Sequence, residues 1–326
     1  MDRGGATEDK QVIKSNGHWK TIKIMNIKVS FTALLLCVLL CSLSGCSSKE
    51  LALSKNDSQK VDSLIKVHKV NDRTIIVSFG HDAVTAIKTK HGIVVVDAGI
   101  STELTSKYKK TIEDNFLQDD YKYVINTHGH HDHIRGNSIF SQAEVVGHEN
   151  CRMEASDRRT SPEESMMSLW KIAEDYEQRL EKAVPNTSEW DDVFTQKIRY
   201  MSAFFDAKNH ISVRLPDITF SDTMKLDLGD TTFEMIHFGK FHSNSDILIY
   251  VPEIRTIFTG DLFSKFGRSG ISDSSSIDTT GCMRAINWID NRIYNIETVI
   301  EGHGQILSGS DLKDFTDNIS NRCPGE

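Results

Sequence analysis

Four histidines and one aspartate crowd into positions 128–133 of the segment "INTHGHHDHIRGN". Imidazole nitrogen and carboxylate oxygen are zinc donors at roughly 2.0 to 2.2 Å, and a catalytic zinc keeps one position open for water. His128 and His130 stand two apart just past a strand-like run, so both side chains can leave an extended turn in the same direction. Asp132 and His133 follow where a helix would start, directed at a second position nearby. The competing reading of this cluster alone is a polar turn rich in histidine. Three further groups at the ends of strand-like runs weigh against it: His242 in "GKFHSNSD", Asp261 in "FTGDLF" and His303 in "IEGHG".

The elements that must position these groups have legible periodicity. β-Branched runs at residues 74–79 ("TIIVSF"), 83–89 ("AVTAIKT") and 92–99 ("GIVVVDAG") predict strands punctuated by glycine and charge. Leu104, Tyr108, Ile112 and Phe116 recur every fourth residue and predict a helix. Residues 121–127, "YKYVINT", predict a strand that stops where the histidines begin, and open α/β sheets carry their sites at such carboxyl ends. Residues 152–209 differ in character. Ser161 as N-cap, Pro162 at the first helical position and Glu164 in capping-box register open one helix that runs through Val184, and "SEWDDVFTQKIRYMSAFFDAK" reads as a second. They read as a helical insertion between two halves of a sheet protein, with ordinary covering helices as the equal alternative. Strand-like runs then resume in "ITFSD", "MKLDLGD", "TTFEMIHFG", "DILIYVP" and "TIFTGDLF". A helix-like "CMRAINWIDNRIY" precedes "ETVIEGHG", again a strand ending in a histidine turn. The order fits two β-rich halves wrapped by helices, without a close sequence repeat.

The chain of 326 residues carries a net charge of −8, and beyond residue 45 its 32 basic and 43 acidic side chains leave −11. Nucleic-acid binding rests on neutralising phosphates, so no nucleic-acid partner is expected. Residues 31–43, "FTALLLCVLLCSL", form an apolar run of 13 behind Lys20, Lys23 and Lys28, short for a bilayer span and suited to a secretory signal core. The "LSGC" and polar "SSKE" that follow resemble a bacterial lipobox, with Cys46 as the lipidated first residue of the mature chain. This predicts export and a lipid anchor in a bacterial membrane, on its periplasmic or extracellular face; a plain signal peptide or short N-terminal anchor is the alternative. Met25 begins a more usual signal sequence, which would make residues 1–24 an upstream extension. The expected organisation is an extension and signal peptide at 1–46, a linker at 47–60, and one domain at 61–326 with the insertion at 152–209. Only Cys151, Cys282 and Cys323 of the six cysteines fall in the body, too few for a disulfide framework.

Taken in order, "VVVDAG" around Asp97, "HGHHDH", a lone His242, Asp261 and His303 resemble the motif series of the metallo-β-lactamase superfamily: HxHxDH, then His, Asp and His. The resemblance covers about residues 70–304. It implies an α/β fold, the four-layered αββα sandwich, carrying the helical insertion. It also implies two divalent metal ions, zinc first, with iron or manganese as alternatives. His128, His130 and His242 would hold one ion, Asp132, His133 and His303 the other, and Asp261 would bridge them. Metal binding brings the pKa of water from 15.7 to roughly 7, so a hydroxide between the ions would attack an ester, thioester, amide or phosphoester of a small-molecule substrate. Asp132 would also serve as the catalytic carboxylate that orients or deprotonates the nucleophile, while Asp97 would orient a ligand histidine. His131, at the variable position, is expected outside the ligand set. His148 and His237 read as structural, and His68, His81, His91 and His210 as surface residues.

Two departures bear on loop shape. Arg135 stands where the family commonly has a glycine, and Phe241 and Ser243 flank His242 in place of the usual neighbours. Asp261 is the choice of the wider superfamily, whereas dizinc β-lactamases of similar length usually carry Cys there, which weakens a β-lactam-hydrolysing reading. Export favours that reading, as does Lys265, placed to clamp a carboxylate. A glyoxalase-II-type thioesterase is disfavoured because only 23 residues follow His303, and the diiron electron-transfer branch because His130 replaces its Glu. The alternative of another class, a non-catalytic metal-binding lipoprotein, would show a lost ligand, and none is lost.

Overall fold

The structure, a computed structural model, describes residues 10–15, 18–23, 55–156, 162–262 and 278–320. The chain divides into two units, Met1–Ala52 and Leu53–Glu326. In the first, β1 (Lys10–Ser15) and β2 (His18–Lys23) pair antiparallel, from Lys10 opposite Lys23 to Ser15 opposite His18. The apolar run at 31–43, Cys46, Ser161, Lys265 and Cys323 lie outside the described residues. No helix among the described residues is long and apolar enough to cross a membrane.

In the second unit the chain enters through α1 (Lys55–Leu64), which begins within the stretch expected as a linker. Val61 on it is buried, and Lys60 pairs with Asp191 at 2.7 Å. A seven-stranded sheet follows in the spatial order β3 (Lys66–Lys69), β4 (Thr74–Phe79), β5 (Asp82–Thr89), β6 (Gly92–Val96), β7 (Tyr121–Ile125), β8 (Glu144–His148) and β9 (Ile218–Phe220). From β3 to β6 each pairing is antiparallel; from β6 to β9 each is parallel. Parallel neighbours need crossovers. The first is α2 (Thr102–Phe116), capped by Ser101, which accepts from the Leu104 amide at 3.2 Å. Leu104, Tyr108, Ile112 and Phe116 are its buried stripe, as their spacing predicts. The second is the short α3 (His131–Ile134) running into a 3-10 turn at Arg135–Ile139. The third holds α4 (Asn150–Ser156), α5 (Pro162–Leu180) and α6 (Ser188–Lys208). α5 ends short of Val184, which is exposed, and α6 is capped by Thr187, whose hydroxyl accepts from the Trp190 amide.

The second sheet keeps sequence order: β10 (Thr223–Asp227), β11 (Thr232–Ile236), β12 (Leu248–Val251), β13 (Thr256–Gly260), β14 (Thr298–Glu301) and β15 (Ile306–Ser308). Only β13 and β14 are parallel, and α7 (Thr279–Asp290) lies between them in the chain; α8 (Gly309–Ser320) comes last. The period of two along a strand sorts side chains into two layers. Ile249, Val251, Phe258 and Ile300 join Ile76, Val94, Val96, Ile125 and Val146 of the first sheet in one core. Leu248, Tyr250, Ile257 and Val299 pack instead with Ile286 and Ile289 of α7 and Leu312 of α8. With α2 against β4 and β5 on the far side, the result is the αββα sandwich. Cys151 and Cys282 carry buried, unbridged thiols.

β11, β13 and β14 run one way, as do β6, β7 and β8, so each sheet collects carboxyl strand ends along one edge. The Ile247 amide donates to Thr127 O at 2.9 Å and ties these edges together.

Candidate metal centre

All seven residues expected as ligands emerge along that joined edge. His128 and His130 follow β7, Asp132 and His133 lie in α3, and His242 sits on the loop after β11. Asp261 directly follows β13, and His303 comes just after β14. Donor atoms of His128, His130 and His242 lie within 4.8 Å of one another, as do those of Asp132, His133 and His303, and those of His128, His133 and Asp261. Asp261 is the hub, with oxygens 3.6 Å from Nε2 of His133 and of His242 and 3.3 Å from Nε2 of His303. Asp132 lies 3.9 Å from His133 Nε2 and 4.0 Å from His303 Nε2. His128 Nε2, His133 Nε2 and Asp261 Oδ1 are buried with no hydrogen-bond partner. Leaving a buried polar atom so costs about 1–3 kcal/mol, and native proteins rarely do it. Orphaned lone pairs that converge on shared space fit metal cations.

The imidazoles are oriented from behind. Asp97, buried after β6, has φ 58°, a left-handed conformation that few non-glycine residues adopt. Its carboxylate accepts from the Thr127 amide and the Thr127 hydroxyl, each at 2.8 Å, and meets His133 Nδ1 at 2.9 Å. Having given its one proton to Asp97, the Thr127 hydroxyl acts as acceptor toward His128 Nδ1, 3.1 Å away. By accepting, directly from His133 and through Thr127 from His128, one carboxylate favours the proton on both Nδ1 positions, so that the neutral rings turn their Nε2 lone pairs toward the cluster.

Charge follows the same geometry. Burial opposes ionisation of Asp261, yet His133 and His303 outweigh it and hold the carboxyl far below its usual range. Burial likewise opposes a charged His133, but Asp261, Asp97 and Asp132 raise its pKa well above that of free histidine. Burial keeps His128 and His242 below it. The acidic hub thus draws positive charge into the space among the ligands.

The loop departures have structural reasons. Arg135 is buried and donates to Ala203 O on α6 at 3.1 Å, so it anchors the helical segment. Asp246 shapes the His242 loop by accepting from the Ser243 amide at 2.7 Å, the Ser243 hydroxyl at 2.8 Å and the Phe241 amide at 3.3 Å. His131 is half-buried on α3 and belongs to none of the ligand groups. His148 and His237 stack at 3.8 Å, each bonded to a main-chain oxygen.

Sequence reasoning did not single out Thr127, Glu154 or Ser245. The Gly129 amide donates to Ser245 Oγ at 2.8 Å, Ser245 donates to Glu154, and Glu154 lies 3.8 Å from His130 Nε2. A Cβ on Gly129 would stand 3.0 Å from Glu154, so the glycine of "HGH" was the available signal for this close approach. His81, expected only as a surface residue, also lines the cavity beside the cluster.

Residues 79–274, more than half of the chain, match the family model of the metallo-beta-lactamase superfamily. No protein of curated function matches. Among solved structures, a metallo-beta-lactamase from Pontibacter korlensis is 19% identical with TM-score 0.50, over 79% of this chain and 99% of that one. DIM-1 metallo-beta-lactamase is 14% identical with TM-score 0.51, over 79% and 97%. The stereoselective inverting sec-alkylsulfatase Pisa1 from Pseudomonas sp. is 12% identical with TM-score 0.50, over 79% of this chain and 41% of that one. At these identities the structures share a fold, and it is the family model together with that fold that makes this chain a member of the metallo-beta-lactamase superfamily.

Proposed function

We propose that the chain is a hydrolase with a two-metal centre, zinc first, that directs water at an ester, thioester, amide or phosphoester bond of a small molecule. The observation that carries this is the convergence of three buried, unpartnered ligand atoms, two imidazole Nε2 and one carboxylate oxygen, on one space. His128, His130 and His242 would hold one ion, Asp132, His133 and His303 the other, with Asp261 shared. Ions bound there would acidify water toward neutral pH and polarise the substrate oxygen. Asp132, half-buried at the cluster, would accept a proton or hydrogen bond from the attacking water as its catalytic residue. Asp97 and Thr127 would keep the imidazoles in the ligating tautomer.

The test is elemental analysis of the full chain purified in detergent, with a chromogenic ester, thioester, phosphodiester and β-lactam panel before and after chelation. Close to two ions per chain and chelator-sensitive turnover are expected. Absence of metal after metal-replete purification would overturn the reading, and two ions without turnover on an extended panel would favour the metal-binding lipoprotein.

Residues 31–46 support a further part of the proposal: export, and a lipid anchor on Cys46 at a bacterial membrane. In the same reading, residues 61–326 form one domain in which the insertion at 152–209 walls the site.

A further inference from the structure

A cavity of about 560 Å³ opens beside the ligand cluster. His242, Asp261 and His303 line one part of it, and Tyr176, Arg199 and Tyr200 of α5 and α6 another. Arg199 is only 4% exposed. A guanidinium keeps its charge inside a protein, so a buried one calls for acceptors. Its one described hydrogen bond runs from Nη1 to Gln196 Oε1 at 2.8 Å, and its Nε is buried without a partner. Asp82 and Asp132 feel its charge but are engaged elsewhere. Asp82 accepts from the Ile100 amide at 3.1 Å and the Tyr108 hydroxyl at 2.8 Å, and Asp132 faces His133 and His303. Asp192 on the cavity rim pairs with His81 at 3.4 Å. The guanidinium lies 5.8 Å from the Tyr200 ring, which stacks on Tyr176 at 5.9 Å.

With Nη1 taken by Gln196, the edge formed by Nε and Nη2 has no acceptor among the described residues, and the side chain lines the cavity. That edge presents parallel N–H donors matched to two oxygens of one oxyanion. We propose that Arg199 binds an oxyanion group of the substrate, a carboxylate or a sulfonate, and so selects anionic small molecules for the ligand cluster. This rests on the hydrolase reading above and adds the substrate class.

The test uses the metal-loaded full chain with three 4-nitrophenyl esters: the neutral butyrate, the carboxylated hemisuccinate and a sulfonated analogue of similar length. At least a roughly 10-fold higher kcat/KM for an anionic ester over the butyrate is expected, the size of a charged hydrogen-bond pair. Arg199→Gln should erase that preference, mainly through KM, and Arg199→Lys should keep part of it. Which anion gains more identifies the oxyanion. Calorimetric binding of benzoate and benzenesulfonate gives a readout without turnover, expected to weaken by about 10-fold or more in Arg199→Gln. If no ester turns over but benzoate binding depends on Arg199, the hydrolase reading fails and the anion site stands. Equal use of neutral and anionic esters by the wild type, or unchanged benzoate affinity in a folded Arg199→Gln, overturns the inference. Should thermal melting show Arg199→Gln unfolded, Arg199→Lys decides: undiminished affinity for both probes and an unchanged KM for the anionic esters would overturn it.

Discussion

At the scale of single residues, "HGHHDH" divides into groups that face the shared space and one that does not. Asp132 borders the space between His133 and His303, whereas His131 joins none of the ligand groups. Asp132→Ala is expected to lower turnover by at least about 10²-fold, the usual cost of losing a positioned acid/base group, and His131→Ala to change it little. Activity, metal content and melting recorded together check this. Equal damage from both variants at full metal content would contradict the assignment. Thr127 offers a finer test because its hydroxyl connects Asp97 to His128. Thr127→Val keeps the shape but removes the relay, and metal affinity should fall by about 10- to 100-fold, as for other groups behind ligands. Competition against a chromogenic chelator measures it, and an unchanged affinity would remove Thr127 from the site's support.

Among the elements, those with a strong apolar period were legible and those without it were not. The stripe of α2 and the continuous apolar, β-branched runs of β12 to β14 are local features and were readable directly. β3 is exposed along its length and α1 is polar, so neither has an apolar pattern of its own. β8 is a short run, "EVVGH", strand-like around His148 in the sequence and buried by its parallel neighbours. α6 illustrates the opposite difficulty. Gln196, Lys197 and Arg199 look like a solvated face, yet all are buried because α5 covers that side and the body of the domain the other. Asp206 docks this helix by accepting from the Thr102 amide and hydroxyl, each at 2.7 Å. Asp206→Ala should destabilise the domain by about 1–3 kcal/mol, the cost of leaving such partners unsatisfied. A denaturant midpoint unaltered by the change would show that the docking rests on apolar packing alone.

At the scale of the whole molecule, the N-terminal stretch and the metallo-beta-lactamase-fold body pose separable questions. In the proposed reading, "LSGC" behind an apolar run would be a chemical address, independent of how the sandwich folds. Cys46→Ser is therefore expected to move the protein from the membrane fraction to the soluble fraction and abolish lipid labelling, while leaving metal content unchanged. Persistent membrane association would indicate an uncleaved anchor.

The candidate ligands could be read from the chain because each is marked locally, by a histidine or aspartate placed where a strand runs out and often beside a glycine. Gly302 shows why: a Cβ there would come within 2.3 Å of Asp261 Oδ1, so close packing of the ligands is written into residue type. What surrounds them is not local. Asp97 reaches Thr127 across 30 positions, and Gly129 reaches Ser245 across 116. Arg199 faces the cluster only because the helices of the third crossover fold back over the open edge of the sandwich. Spacing along a chain encodes which side of an element a residue occupies. Which elements meet, and hence which charges are buried together, is decided by packing between distant segments, and here that packing sets the orientation of the imidazoles, the cavity and the buried guanidinium that lines it.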